Sequence, residues 1–273
     1  MSQRLVWDDT GNKKYTLGIH NVVLFVADPS AETGYAAGVA WDGISAVNES
    51  PSGAEANDIY ANDTKYATFR SAEQFGFTVE AYTSPEEFDQ CDGAATIGRG
   101  VKVHQQNRKP FGMSFCNTIG NDTNGMDYSE ELHLVYNATA SPSDKNNETV
   151  NESPDVSPLS WECSTTSVNI PGFKPASHIT FYKHLMDQSD WEALLDLVWG
   201  CATNDATLPT PAQVISMFGT TYTYTALTTE PDDWETKYYE KYYTKYGTKY
   251  TLIPRQDDAP EFVSGQYYKR NDA

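Results

Sequence analysis

Basic side chains are scarce in this 273-residue chain: 19 Lys and Arg stand against 38 Asp and Glu, a formal charge of −19. The deficit sits in the body, where residues 1–229 hold 29 acidic and 12 basic side chains, whereas residues 230–273 hold 9 and 7. Such a surface argues against a grip on nucleic acid or on phosphate groups, because Lys and Arg supply that affinity; plain solubility is the competing reading. Cysteine is equally sparse. Cys91, Cys116, Cys163 and Cys201 are far apart with no Cys-x-x-Cys, which reads as small core residues in a reducing compartment and not as a disulfide framework or zinc site. No apolar run could span a bilayer, and the start, Met-Ser-Gln-Arg-Leu-Val-Trp, has no apolar signal region, so no membrane insertion is expected. The six Asn-x-Ser/Thr matches, at Asn48, Asn62, Asn121, Asn137, Asn147 and Asn151, then read as chance in an Asn/Thr-rich chain.

Catalytic patterns are absent too. There is no Gly-x-Ser-x-Gly and no Gly-x-x-x-x-Gly-Lys-Ser/Thr, and Gly98-Arg99-Gly100 reads as a turn. The five histidines show no metal-ligand spacing. The densest local cluster is Glu130-Glu131-Leu132-His133, and alternation on a strand sets Glu131 beside His133 on a solvent face. The adjacent acidic pairs Asp8/Asp9 and Glu86/Glu87 lack the separation that two-carboxylate glycoside hydrolysis needs. The expectation is no enzyme, no metal and no cofactor.

What is present is strand pattern. Phe75, Phe77, Val79 and Ala81 alternate with Gly76, Thr78, Glu80 and Tyr82, giving one buried and one wet face. Ile19–Ala27 reads as a strand ended by Asp28-Pro29-Ser30. In Tyr35–Asp42 the second face, Ala36, Gly38 and Ala40, is small enough for another backbone or subunit to approach. After a polar connection from Asn48 to Asn57 come strand-like runs up to Phe69. Val101–Gln105 and Phe111–Ile119 follow; Gly120–Gly125 is a hairpin loop, answered by Leu132, Leu134, Tyr136 and Ala138 on the returning strand. Residues 139–158 form a Ser/Pro/Asn-rich loop, and Ser160–Ile170 and His178–Tyr182 are two more strands. Ser84 with Glu87 could cap a helical turn at 85–88.

A helix is expected over 189–199, with Ser189 as N-cap, Glu192 as capping-box partner, Trp191, Leu194, Leu195 and Val198 as the apolar stripe, and Gly200 as the stop. A second, shorter one starts at Thr210-Pro211 with Gln213 at N3 and ends at Gly219. The sum is a mostly β sandwich or barrel with one flanking helix. Three parts follow: residues 1–34 as an N-terminal arm and first strand, 35–219 as the β-sandwich domain, and 220–273 as an extension holding ten of the eighteen tyrosines. The extension reads as extended or hairpin structure, since Tyr and Thr favour helix poorly and Gly247 would break one.

Five segments resemble the major tail, or tail tube, proteins of long-tailed phages, in the form common in prophages of gut Firmicutes. They are GVAWDGISAVNESPSGAEANDIYANDTKYATFRSAEQFGFTVEAYTSPEEF (38–88) with the CDG after it, FGMSFCNTIGNDTNGMDY (111–128), LHLVYNATASPSDKNNETVNESP (132–154), WECSTTSVNIPGFKPASHIT (161–180) and LPTPAQVISMFG (208–219). They run in order over most of residues 38–219. The resemblance implies a β-sandwich subunit whose six copies form a ring, with rings stacked into a hollow tube that conducts DNA from the virion tail after assembly in the host cytoplasm. It implies as partners other copies of the chain, tail terminator and tail-tip proteins, a tape measure protein inside the lumen, and genomic DNA in transit.

On that reading the lumen candidates are Thr78 and Glu80 on one strand, with Thr68 and Arg70 on its partner. The ring-stacking candidates are Asn48, Glu49, Glu55 and Asn57 in one connection and Asp144 and Glu148 in the other. A rival reading is a virion-surface decoration or carbohydrate-binding β-sandwich, whose Tyr-rich end would stack on sugar rings. A glycan-cleaving enzyme with buried carboxylates is a third.

Overall fold

The computed structural model describes residues 7–143, 145, 147, 149, 156 and 158–218, together with the backbone of short pieces of the Tyr-rich end. The chain is mostly β, with antiparallel sheets and two α-helices. It divides into two compact units: 1–168 with 176–208, and 169–175 with 209–273. No helix among the described residues is long and apolar enough to cross a membrane.

The first unit is built on β1 (Lys14–Val26), β2 (Val39–Ala40), β3 (Ile44–Glu49), β4 (Ser52–Gly53), β5 (Ala56–Ala61), β6 (Thr64–Arg70), β7 (Glu73–Gln74) and β8 (Gly76–Ala81). After a 3₁₀ turn at Glu86–Gln90 follow β9 (Ala94–Gly98), β10 (Val101–His104), β11 (Phe111–Asn121), β12 (Gly125–Ala140), β13 (Leu159–Thr165), β14 (His178–Tyr182) and α1 (Gln188–Trp199). Eight of these strands form one sheet in the order β2-β1-β11-β12-β13-β8-β3, with β14 also paired to β12.

The sheet curls over its own apolar face. Val22 and Leu24 of β1 and Phe111, Met113 and Phe115 of β11 share one core with Phe77 and Val79 of β8 and Trp161 of β13. One end of this core is closed by aromatic rings: Phe88 from the 3₁₀ turn lies 4.4 Å from Trp41, 5.2 Å from Trp161 and 5.5 Å from Phe111, centroid to centroid. Each such pair adds about 0.5–1.5 kcal/mol beyond its buried area.

The strand expected at Tyr35–Asp42 is reduced to the two residues of β2, and Tyr35 instead accepts, at its hydroxyl oxygen, a hydrogen bond from the Asn137 backbone amide 3.0 Å away. The small face there meets its own chain. A Cβ on Gly38 would fall 2.6 Å from the Phe25 ring and 2.9 Å from Ala206.

β12 corrects the sequence reading twice. Its Leu132, Leu134 and Tyr136 share a face, but Asn137, at φ 50°, sits at a register shift, so Ala138 turns to the opposite face and joins the core with Val135. The same bulge redirects the strand's far edge: Glu131–Val135 pair with β14, whereas Ala138–Ala140 pair with β13. Secondly, Glu131 and His133 are buried, at 8% and 7% exposure, not on a solvent face. Both faces of β12 are covered, one by the curled sheet and the other by a second apolar layer, and polar alternation alone does not reveal this.

The helices are where the sequence placed them, with one change of mechanism. α1 buries Trp191, Leu194 and Val198, but its N-cap is Asp187 and no side chain caps it; Ser189 lies inside the helix, and Gln188 Nε2 instead donates to Glu192 at 2.8 Å. Neither does Ser84 cap the 3₁₀ turn, which starts after Pro85 without a side-chain bond. In the second unit α2 (Pro211–Phe218) has the expected box: Gln213 N donates to Thr210 Oγ1 at 3.3 Å, and Thr210 N donates back to Gln213 Oε1 at 2.8 Å. In the Tyr-rich end, Thr223–Leu227 pair with Tyr267–Asn271, and Tyr243–Thr244 with Gly247–Thr248, all antiparallel.

Candidate assembly surface

The stretch from Ile44 to Ala81 is one long hairpin. Its base, β3 with β8, belongs to the sheet; β4 with β7 and then β5 with β6 continue it outward to a turn at Asn62-Asp63. Both turn residues have positive φ, 51° and 58°, the geometry of the tight hairpin turn that matches strand twist. Between base and tip the arm kinks at Gly53-Ala54. Gly53, at φ 85°, lies under the Ala72 carbonyl, where a Cβ would come within 2.5 Å. This arm replaces the polar connection expected at 48–57. It also corrects the pairing of the lumen candidates: Thr68 and Arg70 on β6 face Asp58 and Ala56 on β5, whereas Thr78 and Glu80 on β8 are flanked by β3 and β13. The chain does not turn back at Ser71–Gln74, because those residues continue the strand toward the sheet.

The arm has two unlike faces. On one, Asp58 accepts from Lys65 Nζ at 2.8 Å and from Thr68 Oγ1 at 2.7 Å; these hydrogen bonds, Lys65 first, hold its carboxyl below the usual range. Asn57 and Phe69, and Ile59 and Ala67, are cross-strand pairs on the other face. From Glu55 to Gln74 only Asp58, Ala61 and Ala67 are even partly shielded. Ile59, Tyr60, Tyr66 and Phe69 are 45%, 67%, 77% and 58% exposed. A lone two-stranded ribbon is marginal in water, so large apolar side chains on it point to a covering surface.

The outer face of the sheet beside the arm is polar. Thr78 and Glu80 of β8 lie between Glu162 and Ser160 of β13 and Asn48 and Ala46 of β3. The Asn48 amide donates to Glu80 at 3.4 Å. Among the described residues β3 has no strand on its outer edge. Asn48 and Glu49, neighbours in sequence, point to opposite faces. Glu55 and Asn57 belong to the arm; Asp144 and Glu148 lie outside the described residues.

Glu49 points to the inner face, at the end of the core opposite Phe88, and there the fold brings together groups that the sequence leaves far apart. His133 Nδ1 is 2.9 Å from His178 Nε2 and 3.7 Å from Glu49 Oε1, and Thr180 Oγ1 is 3.3 Å from both nitrogens. Burial pushes both imidazoles down to about 4, so they are neutral near pH 7. Burial, and next the Glu131 carboxylate, raise Glu49. His178 is 45 residues from His133 and no local spacing announces the pair. The one sequence signal was the Glu131/His133 alternation. The chain matches no protein-family model and no curated protein sequence.

Proposed function

We propose that this chain is a non-enzymatic tail tube subunit of a long-tailed phage or prophage, assembling through copies of itself into rings, six to a ring, stacked as a hollow conduit for DNA. The observation that carries the reading is the arm of residues 50–75, an ordered two-stranded ribbon with Ile59 and Phe69 exposed on one face, together with the ordered resemblance of residues 38–219. A ribbon of this kind gains stability only when a neighbour covers it, and a neighbouring copy also closes the open edge of β3. The polar outer face that carries Thr78, Glu80 and Glu162 suits a wall that repels DNA and offers no phosphate site. Thr68 and Arg70, being on the arm, line the channel only where arms turn inward. The tail terminator, tail-tip and tape measure proteins are the further partners of this reading, and the virion tail is its location.

Negative-stain electron microscopy of the purified chain tests it. Rings or tubes of uniform bore are expected, and Ile59→Asp with Phe69→Asp should abolish them while leaving the circular dichroism of the monomer unchanged. A chain that stays monomeric at high concentration, even with tail initiator present, overturns the proposal. Monomers that bind host glycans through the Tyr-rich end would instead favour a surface-decoration role.

A further inference from the structure

The partly buried cluster at the root of the arm holds the donors of a metal site. His133, His178 and Glu49 each contribute one donor atom, all within 4.8 Å of one another. Tetrahedral zinc with bonds of about 2.0–2.1 Å to nitrogen sets neighbouring donors about 3.3–3.4 Å apart. The imidazole nitrogens are 2.9 Å apart, Glu49 Oε1 is 3.7 Å from His133 Nδ1, and all three donors lie within 4.8 Å of one another. Thr180 Oγ1 lies 3.3 Å from each nitrogen, within hydrogen-bond reach of both.

The far side of His133 is arranged as metal-bound imidazoles require. The Asn117 side-chain amide lies 3.4 Å from His133 Nε2. Glu131 Oε1 is 3.5 Å from the same nitrogen. This carboxylate is an acceptor facing Nε2, which sets the proton there and leaves the Nδ1 lone pair directed into the cluster. Both rings are also clamped: Phe115 stacks on His133 at 4.4 Å and 4°, and Phe75 on His178 at 4.4 Å and 29°. Glu49, with its side chain 41% exposed, provides the way in from solvent.

We infer that His133, His178 and Glu49 bind one divalent transition-metal ion of the zinc type, with Glu131 and Asn117 orienting His133 from behind. Two imidazoles and one carboxylate favour zinc, cobalt or nickel over magnesium or calcium, which take oxygen donors. Glu49 ends β3 and Phe75 precedes β8, the two strands that run out into the arm. An ion here would fasten the root of the arm to β12 and β14. The inference does not depend on what the arm contacts.

The test uses the full chain, stripped with chelator and titrated near neutral pH with Co²⁺ as absorption probe and Zn²⁺ by calorimetry. One equivalent of Co²⁺ with the visible bands of a four- or five-coordinate site, displaced by Zn²⁺, is expected. His178→Ala should abolish saturable binding. Glu49→Gln, on the exposed rim where folding is safe, should weaken it by more than about tenfold, and Glu131→Gln by about 10–100-fold with the Co²⁺ bands retained. Circular dichroism in chelator checks that each variant is folded. No saturable binding by the parent chain overturns the inference, as does binding undiminished in His178→Ala or in Glu49→Gln.

Discussion

At the scale of single residues, the four cysteines divide three to one. Cys91, Cys116 and Cys163 are buried, and burial pushes each thiol up to about 12. Cys201 is exposed after α1; hydrogen bonding to the Thr203 hydroxyl, 3.3 Å away, and then to the backbone amides of Thr203 and Asn204 lowers its thiol. The thiolate is the reactive form, so a native chain at pH 8 should show one thiol that reacts rapidly with a disulfide reagent and four after denaturation. Cys201→Ser should remove the fast phase alone. A second fast thiol in the native chain would mean that the core opens on the timescale of the reaction. The sequence reading of all four as core residues holds for three. Cys201 follows Gly200, the helix stop, and nothing in its local pattern separated it from the rest.

At the scale of elements, the two helices offer a controlled comparison, because both have a box-like sequence and only one makes the box. Thr210→Ala removes the acceptor of the Gln213 amide and should cost about 1 kcal/mol, read as roughly fivefold faster amide exchange at Gln213. Ser189→Ala should stay within about 0.5 kcal/mol, since Ser189 caps nothing. Equal losses at the two sites would refute this assignment of caps. The contrast also marks what the sequence could express. Strong alternation on β8 gives the right faces because its core side, Phe77, Val79 and Ala81, is purely apolar, and the 120–125 loop is legible from its turn residues. The arm was not, since a ribbon with both faces exposed has no core to set its register, and a reading that pairs successive runs joins β6 to β8. The histidine cluster was hidden for a different reason: its members come from β3, β12 and β14, and only the Asn137 bulge and the curl of the sheet bring those strands to one end of the core.

At the scale of the whole molecule, charge sets the conditions for any association of copies. Each chain carries −19, and acidic side chains such as Glu80 and Glu162 stand on the sheet face beside the arm. Bringing like-charged copies together costs Coulomb energy that salt screens over about 10 Å at 0.1 M ionic strength. The apolar contribution of Ile59 and Phe69 is insensitive to such screening and is strengthened by excluded salts such as sulfate. Self-association measured by sedimentation velocity should therefore increase as NaCl rises from about 0.05 to 0.5 M, and sulfate should exceed chloride at equal ionic strength. The arm variants should lose the response altogether. Weakening of association with added salt would show that opposite charges hold the copies together, which would move the interface away from the apolar ribbon and toward the few basic positions, Lys65 and Arg70 among them, that the arm also carries.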